Sequence, residues 1–102
     1  MGIHNFTSKL LVSNWNKQGI PRLRVSLHIR DYEFITYEGD VKYLRKMTIL
    51  RTNGQVVEMD YPRISKGTQN GKYVPHYITV SADDVKTYGF KPNEPVSVTV
   101  EW

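Results

Sequence analysis

Tyr77-Ile78-Thr79-Val80-Ser81-Ala82-Asp83-Asp84-Val85-Lys86-Thr87-Tyr88-Gly89-Phe90-Lys91-Pro92-Asn93-Glu94-Pro95-Val96-Ser97-Val98-Thr99-Val100-Glu101-Trp102 reads as strand, short capped helix, tight turn and strand. Tyr77 to Val80 is a β-rich run that stops at Ser81. Ser81 is placed as an N-cap, with Asp84 three residues on in a capping-box-like spacing. Asp83 and Asp84 put negative charge where the helix macrodipole favours it. Gly89 falls where a left-handed residue closes a helix, and Phe90 is placed to pack back on Val85 in a Schellman arrangement, which gives a helix of about two turns. Lys91-Pro92-Asn93-Glu94 is a proline-led turn. Val96, Val98, Val100 and Trp102 then alternate with Ser97, Thr99 and Glu101, the pattern of a half-buried strand.

These residues resemble the AbrB/MazE/SpoVT swapped-hairpin DNA-binding domain. That family runs from a strand with a small or polar cap into a short helix closing on Leu-Gly-apolar, then Lys-Pro-Gly-Asp/Glu and an alternating valine strand. Tyr88 stands here for the leucine and Asn93 for the glycine; tyrosine keeps the apolar bulk and asparagine tolerates positive φ. The resemblance covers residues 74–102 only. It implies a homodimer, because one strand-helix-strand unit does not close its own core, and a DNA-binding transcriptional regulator or antitoxin. The alternative is that the long first half completes the core within one chain.

At 102 residues the chain fits a single domain, 1–102. It has no apolar run long enough to span a membrane, and Met1-Gly2-Ile3-His4-Asn5-Phe6 lacks the regions of a signal peptide. Cysteine is absent, so there is neither a disulfide framework nor a thiolate metal site. The expectation is a cytoplasmic protein with no membrane partner. The net charge of +4 is unevenly spread. Nine basic residues against Asp31, Glu33, Glu38 and Asp40 give residues 1–51 a charge of +5; five basic against six acidic residues give 52–102 a charge of −1. A basic first half suggests a polyanion; a solvated face with no such partner is the alternative.

Arg22 to Arg30 alternates Leu23, Val25, Leu27 and Ile29 with Arg24, Ser26, His28 and Arg30, a strand with one core face and one basic face. Tyr32 and Phe34 suit the core better than Asp31 and Glu33, which predicts a bulge or turn near Arg30-Asp31 that resets the register. Phe6 to Val12 is the preceding strand. Trp15, in the polar loop between them, stacks on a base, plugs a partner pocket, or folds over the edge of its own core. After Gly39-Asp40, Asn53-Gly54 predicts a two-residue hairpin that pairs Leu50 with Val57 and Thr48 with Met59. Met47, Ile49 and Arg51 then share the other face with Asp60, Glu58 and Val56. Arg63 to Lys72, with Gly67 and Gly71, is either a phosphate-binding loop or a polar hairpin tip.

Catalytic motifs are missing. His4, His28 and His76 have no zinc-ligand spacing, and Asp83 and Asp84 are explained as first-turn helix charges. The sequence therefore predicts a mainly β, β-rich α+β domain of six or seven mostly antiparallel strands with one short helix near the C-terminus. It predicts no enzyme, cofactor or metal. The expected function is binding of duplex DNA by a homodimer, through phosphate contacts from Arg22, Arg24, Arg30, Arg45, Lys46 and Lys66. The alternative is a non-enzymatic protein-interaction or structural β-domain, such as a viral or mobile-element accessory protein, using a strand edge or Trp15 on a protein partner. Convergence of the basic residues on one face favours the first, and scatter the second.

Overall fold

The first strand, β1 (Ile3–Trp15), is long enough to serve two sheet halves. Its first part pairs with β9 (Pro95–Glu101), from Ile3 opposite Glu101 to Lys9 opposite Pro95. Its second part pairs with β2 (Pro21–Leu27), with an irregularity between Val12 and Asn14. The computed structural model describes residues 2–37, 39, 41–66, 68, 69, 72, 73 and 76–102, and of 68, 69, 72 and 73 the backbone alone. After β2 come α1 (Ile29–Ile35), β3 (Lys46–Arg51), β4 (Val56–Asp60), β5 (Ile64–Ser65), β6 (Thr68–Gln69), β7 (Lys72–Tyr73), β8 (His76–Val80) and α2 (Ala82–Tyr88). Seven strands form one antiparallel sheet in the order β4-β3-β9-β1-β2-β8-β5, and β6 and β7 pair separately. The domain is mainly β, with two short helices. The expectations resting on Glu38, Asp40, Gly67, Asn70, Gly71 and Val74 lie outside the described residues.

Alternation builds the core. Leu23, Val25 and Leu27, then Ile78 and Val80, then Val96, Val98 and Val100 point inward with Phe6, Leu10, Met47 and Ile49. Each such side chain contributes about 1.5–3 kcal/mol when fully buried, so the inward face sets the register. Residues of the strand-helix-strand stretch are thus buried against residues of the first half, and one chain closes this core.

The C-terminal stretch follows its sequence closely. The Ser81 hydroxyl accepts from the Asp84 N–H at 3.2 Å and donates to Asp84 Oδ2 at 3.0 Å. Gly89 is left-handed and its N–H donates to the Val85 carbonyl, the bond of an αL cap in place of the Schellman arrangement expected. Phe90 and Val85 are both buried, and Asn93 has a φ of 63°.

Two expectations are corrected. The strand predicted over Arg22 to Arg30 stops at Leu27, and a second helix, α1, replaces the bulge near Arg30-Asp31. His28 caps this helix, its Nδ1 accepting from the Arg30 N–H at 3.2 Å, and Tyr32 and Ile35, three apart, carry its inward face. A helix turns Tyr32 and Ile35 inward without a bulged strand, whereas Phe34, expected in the core, is 55% exposed. The hairpin is also one residue out of the predicted register: Leu50 pairs with Val56, Thr48 with Glu58 and Met47 with Met59. Gly54, at φ 89°, closes a three-residue loop in which Gly54 N–H donates to the Arg51 carbonyl and Arg51 N–H to that of Gln55. A one-residue shift exchanges the faces. Met47, Ile49 and Val57 face the core, while Leu50 and Val56 are exposed.

This register leaves Arg51 clasping the C-terminal unit. Its guanidinium meets Glu94 through Nε–Oε2 at 2.7 Å and Nη2–Oε1 at 2.8 Å, and Nη1 donates to the Tyr88 carbonyl at 2.7 Å. It also lies 4.7 Å from the centre of the Phe90 ring. Burial alone pushes the Glu94 carboxyl up, but hydrogen bonds from Arg51 and the Lys91 backbone and the charges of both residues hold it below its usual range.

Candidate nucleic-acid interface

Beyond β3 and β4 the same antiparallel ladder runs on, outside both strands, to the point where the chain crosses to the opposite sheet edge. Tyr61 N–H donates to the Arg45 carbonyl at 3.1 Å, Leu44 N–H to Pro62 at 2.9 Å, and Tyr43 pairs with Arg63. Leu44 and Ile64 are buried here. Between and beside them Tyr43, Arg45, Tyr61 and Arg63 are all exposed, Tyr43 by 61% and Tyr61 by 72%. Each arginine therefore stands across the ladder from a tyrosine. Tyr61 holds a φ of 53°, a left-handed conformation that is strained for a bulky residue.

Arg45 Nη2 touches Glu101 Oε1 at 3.1 Å, and Lys46 Nζ touches Glu58 Oε1 at 3.0 Å. The Glu58 hydrogen bond holds the Lys46 ammonium above its usual pKa against a smaller effect of burial. Exposed ion pairs of this kind contribute little to stability, so both cations remain open to competition from phosphate.

A cleft of about 590 Å³ opens beside this corner, lined by Ile3, Arg30, Glu33, Phe34, Tyr37 and Trp102 among others. α1 is fixed over the start of β1 by a 2.8 Å contact of His4 Nε2 with Asp31 Oδ1 and by the His4 and Phe34 rings, 4.6 Å apart. Phe34 meets Trp102 nearly at right angles at 6.2 Å. Gly2 and Trp102 exchange backbone hydrogen bonds of 2.8 and 3.0 Å, and a β-carbon built on Gly2 would collide with Cε2 and Cζ2 of the indole. Gly2→Ala is expected to drive Trp102 off the cleft wall and to cost about 1–3 kcal/mol. Trp102 fluorescence in a Trp15→Phe background, with a urea unfolding curve, measures both effects.

Of the six basic residues singled out by sequence, Arg30 lines the cleft, and Arg45 and Lys46 flank the corner. Lys66 follows β5 beside His76, whose ring meets Tyr32 of α1 edge-on at 4.0 Å, so it lies at the same sheet end. The other two lie elsewhere. Arg22 pairs with Asn14 at the far end, and Arg24 sits mid-sheet over the Tyr77 ring at 5.6 Å, its buried Nε without a hydrogen bond. Trp15 does not fold over the core: it ends β1 at 60% exposure. The aromatic components escaped the sequence reading, although Tyr43-Leu44-Arg45 and Tyr61-Pro62-Arg63 carry one Tyr-x-Arg signature twice.

Burial, and then the Lys66 charge, holds the His76 imidazole below its ordinary value of 6.5. The unfolded chain therefore takes up a proton first, and stability falls as pH drops through the unfolded value toward the folded one. Urea midpoints across this range are expected to slope in the wild type, and His76→Gln is expected to flatten that slope.

Among the described residues no three His, Cys, Asp or Glu side chains are grouped to hold a metal, and no helix is long and apolar enough to cross a membrane. Fold and site together define a β-rich α+β domain in which Tyr43, Tyr61, Arg30, Arg45, Lys46, Arg63 and Lys66 lie toward one end of a curled sheet, while Trp15, Arg22 and Arg24 lie elsewhere. Comparison with protein-family models, curated proteins and solved structures finds no match to this chain.

Proposed function

We propose that this domain binds nucleic acid and that its preferred form is single-stranded. The observation that carries this reading is the exposed ladder in which Tyr43 faces Arg63 and Arg45 faces Tyr61. Unpaired bases offer their faces to aromatic side chains, each such stack being worth about 1–3 kcal/mol, while the arginines take the phosphates between them. Bases inside a duplex are stacked on one another and offer no face to Tyr43 or Tyr61. The AbrB-like stretch points to the neighbouring reading, a cytoplasmic duplex-binding regulator or antitoxin, whose homodimer would use another surface because one chain closes this core. A protein partner is the second reading. It is favoured by the sheet-edge strand β4, where exposed Val56 stands opposite exposed Leu50, and would suit an accessory protein of a virus or mobile element.

Titration of a labelled single-stranded oligonucleotide, beside the same sequence as duplex, tests the proposal. Affinity for the single strand is expected to exceed that for the duplex and to fall with salt. With Arg30, Arg45, Lys46 and Arg63 engaged, the slope of log K on log salt is roughly −3. Absence of binding at about 50 mM salt, or affinity indifferent to salt, overturns the nucleic-acid reading. Tighter duplex binding overturns the preference for single strands.

A further inference from the structure

We infer that the cleft between α1 and the β1–β9 sheet end is a pocket for one nucleotide, with the phosphate on Arg30 and the base against Phe34; this rests on the nucleic-acid reading above. Phe34 and Trp102 stand at 89° to each other, so they form an inside corner. A planar ring that stacks on one of them presents its edge to the other, and both contacts are favourable aromatic geometries. The volume of about 590 Å³ suits a ligand of nucleotide size.

The polar groups narrow the ligand class. The Arg30 side chain has no ion-pair partner among the described residues, and a guanidinium so placed matches the oxygens of a phosphate. Glu33, one helical turn on, lines the same cleft and only accepts hydrogen bonds. Glu33 is exposed, so an aromatic acid without N–H groups offers it no donor and sets like charge beside it. A nucleotide carries its phosphate at one end and base N–H donors at the other, so it satisfies both residues. The cleft lies near the corner in the ladder, because Arg45 N–H donates to the Glu101 carbonyl at 2.7 Å and so follows β9 to its Trp102 end.

The test uses the full chain with Trp15→Phe, so that Trp102 is the one indole followed by NMR. Adenosine monophosphate is expected to shift the Trp102 indole N–H saturably, and inorganic phosphate alone to leave it in place. Arg30→Gln is expected to weaken the monophosphate about tenfold while leaving adenosine unchanged. Phe34→Ala is expected to remove binding and Phe34→Tyr to keep it, which separates loss of the stacking face from loss of fold. An unmoved Trp102 at millimolar monophosphate, or an Arg30→Gln variant that binds like wild type, overturns the inference. An oligonucleotide that binds while the cleft stays silent overturns the pocket alone. A cleft that takes the mononucleotide, in a protein that binds no oligonucleotide at low salt, overturns the strand-binding function alone and leaves a mononucleotide site.

Discussion

Arg51→Ala is expected to lower stability by about 2–4 kcal/mol, the cost of leaving one partner of a largely withdrawn, bidentate ion pair behind. Both side chains are nearly withdrawn from solvent, Arg51 at 9% and Glu94 at 10% exposure, and the pair is bidentate. Arg51 also holds the Tyr88 and Gly89 carbonyls, at 2.7 and 3.3 Å, where α2 ends. Its removal would leave a carboxylate and two carbonyls short of partners at the junction of hairpin, helix and turn. Replacing both residues by apolar ones, as Arg51→Met with Glu94→Leu, is expected to cost much less, since no buried charge is then left alone. The difference is read from urea midpoints in a double-mutant cycle. A single-variant cost below about 1 kcal/mol would mean that the pair is solvated and does not hold the turn.

The same pair sets an acid limb. The folded-state pKa of Glu94 lies below its ordinary value of 4.5. Its contribution is therefore fully present above the unfolded value and is lost as pH falls through the folded one. The doubly apolar variant should lack that part of the limb.

The second large effect concerns binding. Tyr43→Ala with Tyr61→Ala is expected to weaken single-strand affinity by at least about thirtyfold, from two stacking contacts of about 1–3 kcal/mol each. Tyr61 allows a sharper test, because its left-handed backbone costs of order 1 kcal/mol that asparagine or glycine does not incur. Tyr61→Asn is therefore expected to leave stability equal or higher while weakening binding about fivefold or more. If stability and binding instead fall together, Tyr61 holds the fold and does not serve as a stacking platform.

Legibility in the sequence followed the locality of the forces. The Ser81 cap, the left-handed Gly89, the Asn93 turn and the alternation from Val96 to Val100 depend on neighbours a few residues away, and all were readable. The Asn53-Gly54 turn was readable as a turn but not in its loop length. One extra residue in the loop was enough to put Val57 and Met59 on the face of Met47 and Ile49, and Val56 on that of Leu50. α1 was hidden because Leu23, Val25, Leu27 and Ile29 keep a strand period up to the residue where the helix begins. Arg51 looked like one more hairpin cation, since Glu94 lies 43 residues away. The corner joins Tyr43-Leu44-Arg45 to Tyr61-Pro62-Arg63 only because the β3–β4 ladder continues past both strands. The basic residues were visible one by one, and the convergence of Arg30, Arg45, Lys46 and Lys66 on one sheet end, with Arg22 and Arg24 left outside it, was not.

On the proposed function, nucleic acid meets this domain at the sheet end bearing Tyr43, Arg45, Tyr61 and Arg63. Backbone amide NMR of the full chain, titrated with a single-stranded oligonucleotide at low salt, maps that contact residue by residue. Shifts are expected to be confined to residues 42–46, 61–66 and the α1 cleft. Shifts centred on Arg22, Arg24 and Tyr77, or no shifts at all, would contradict the proposal.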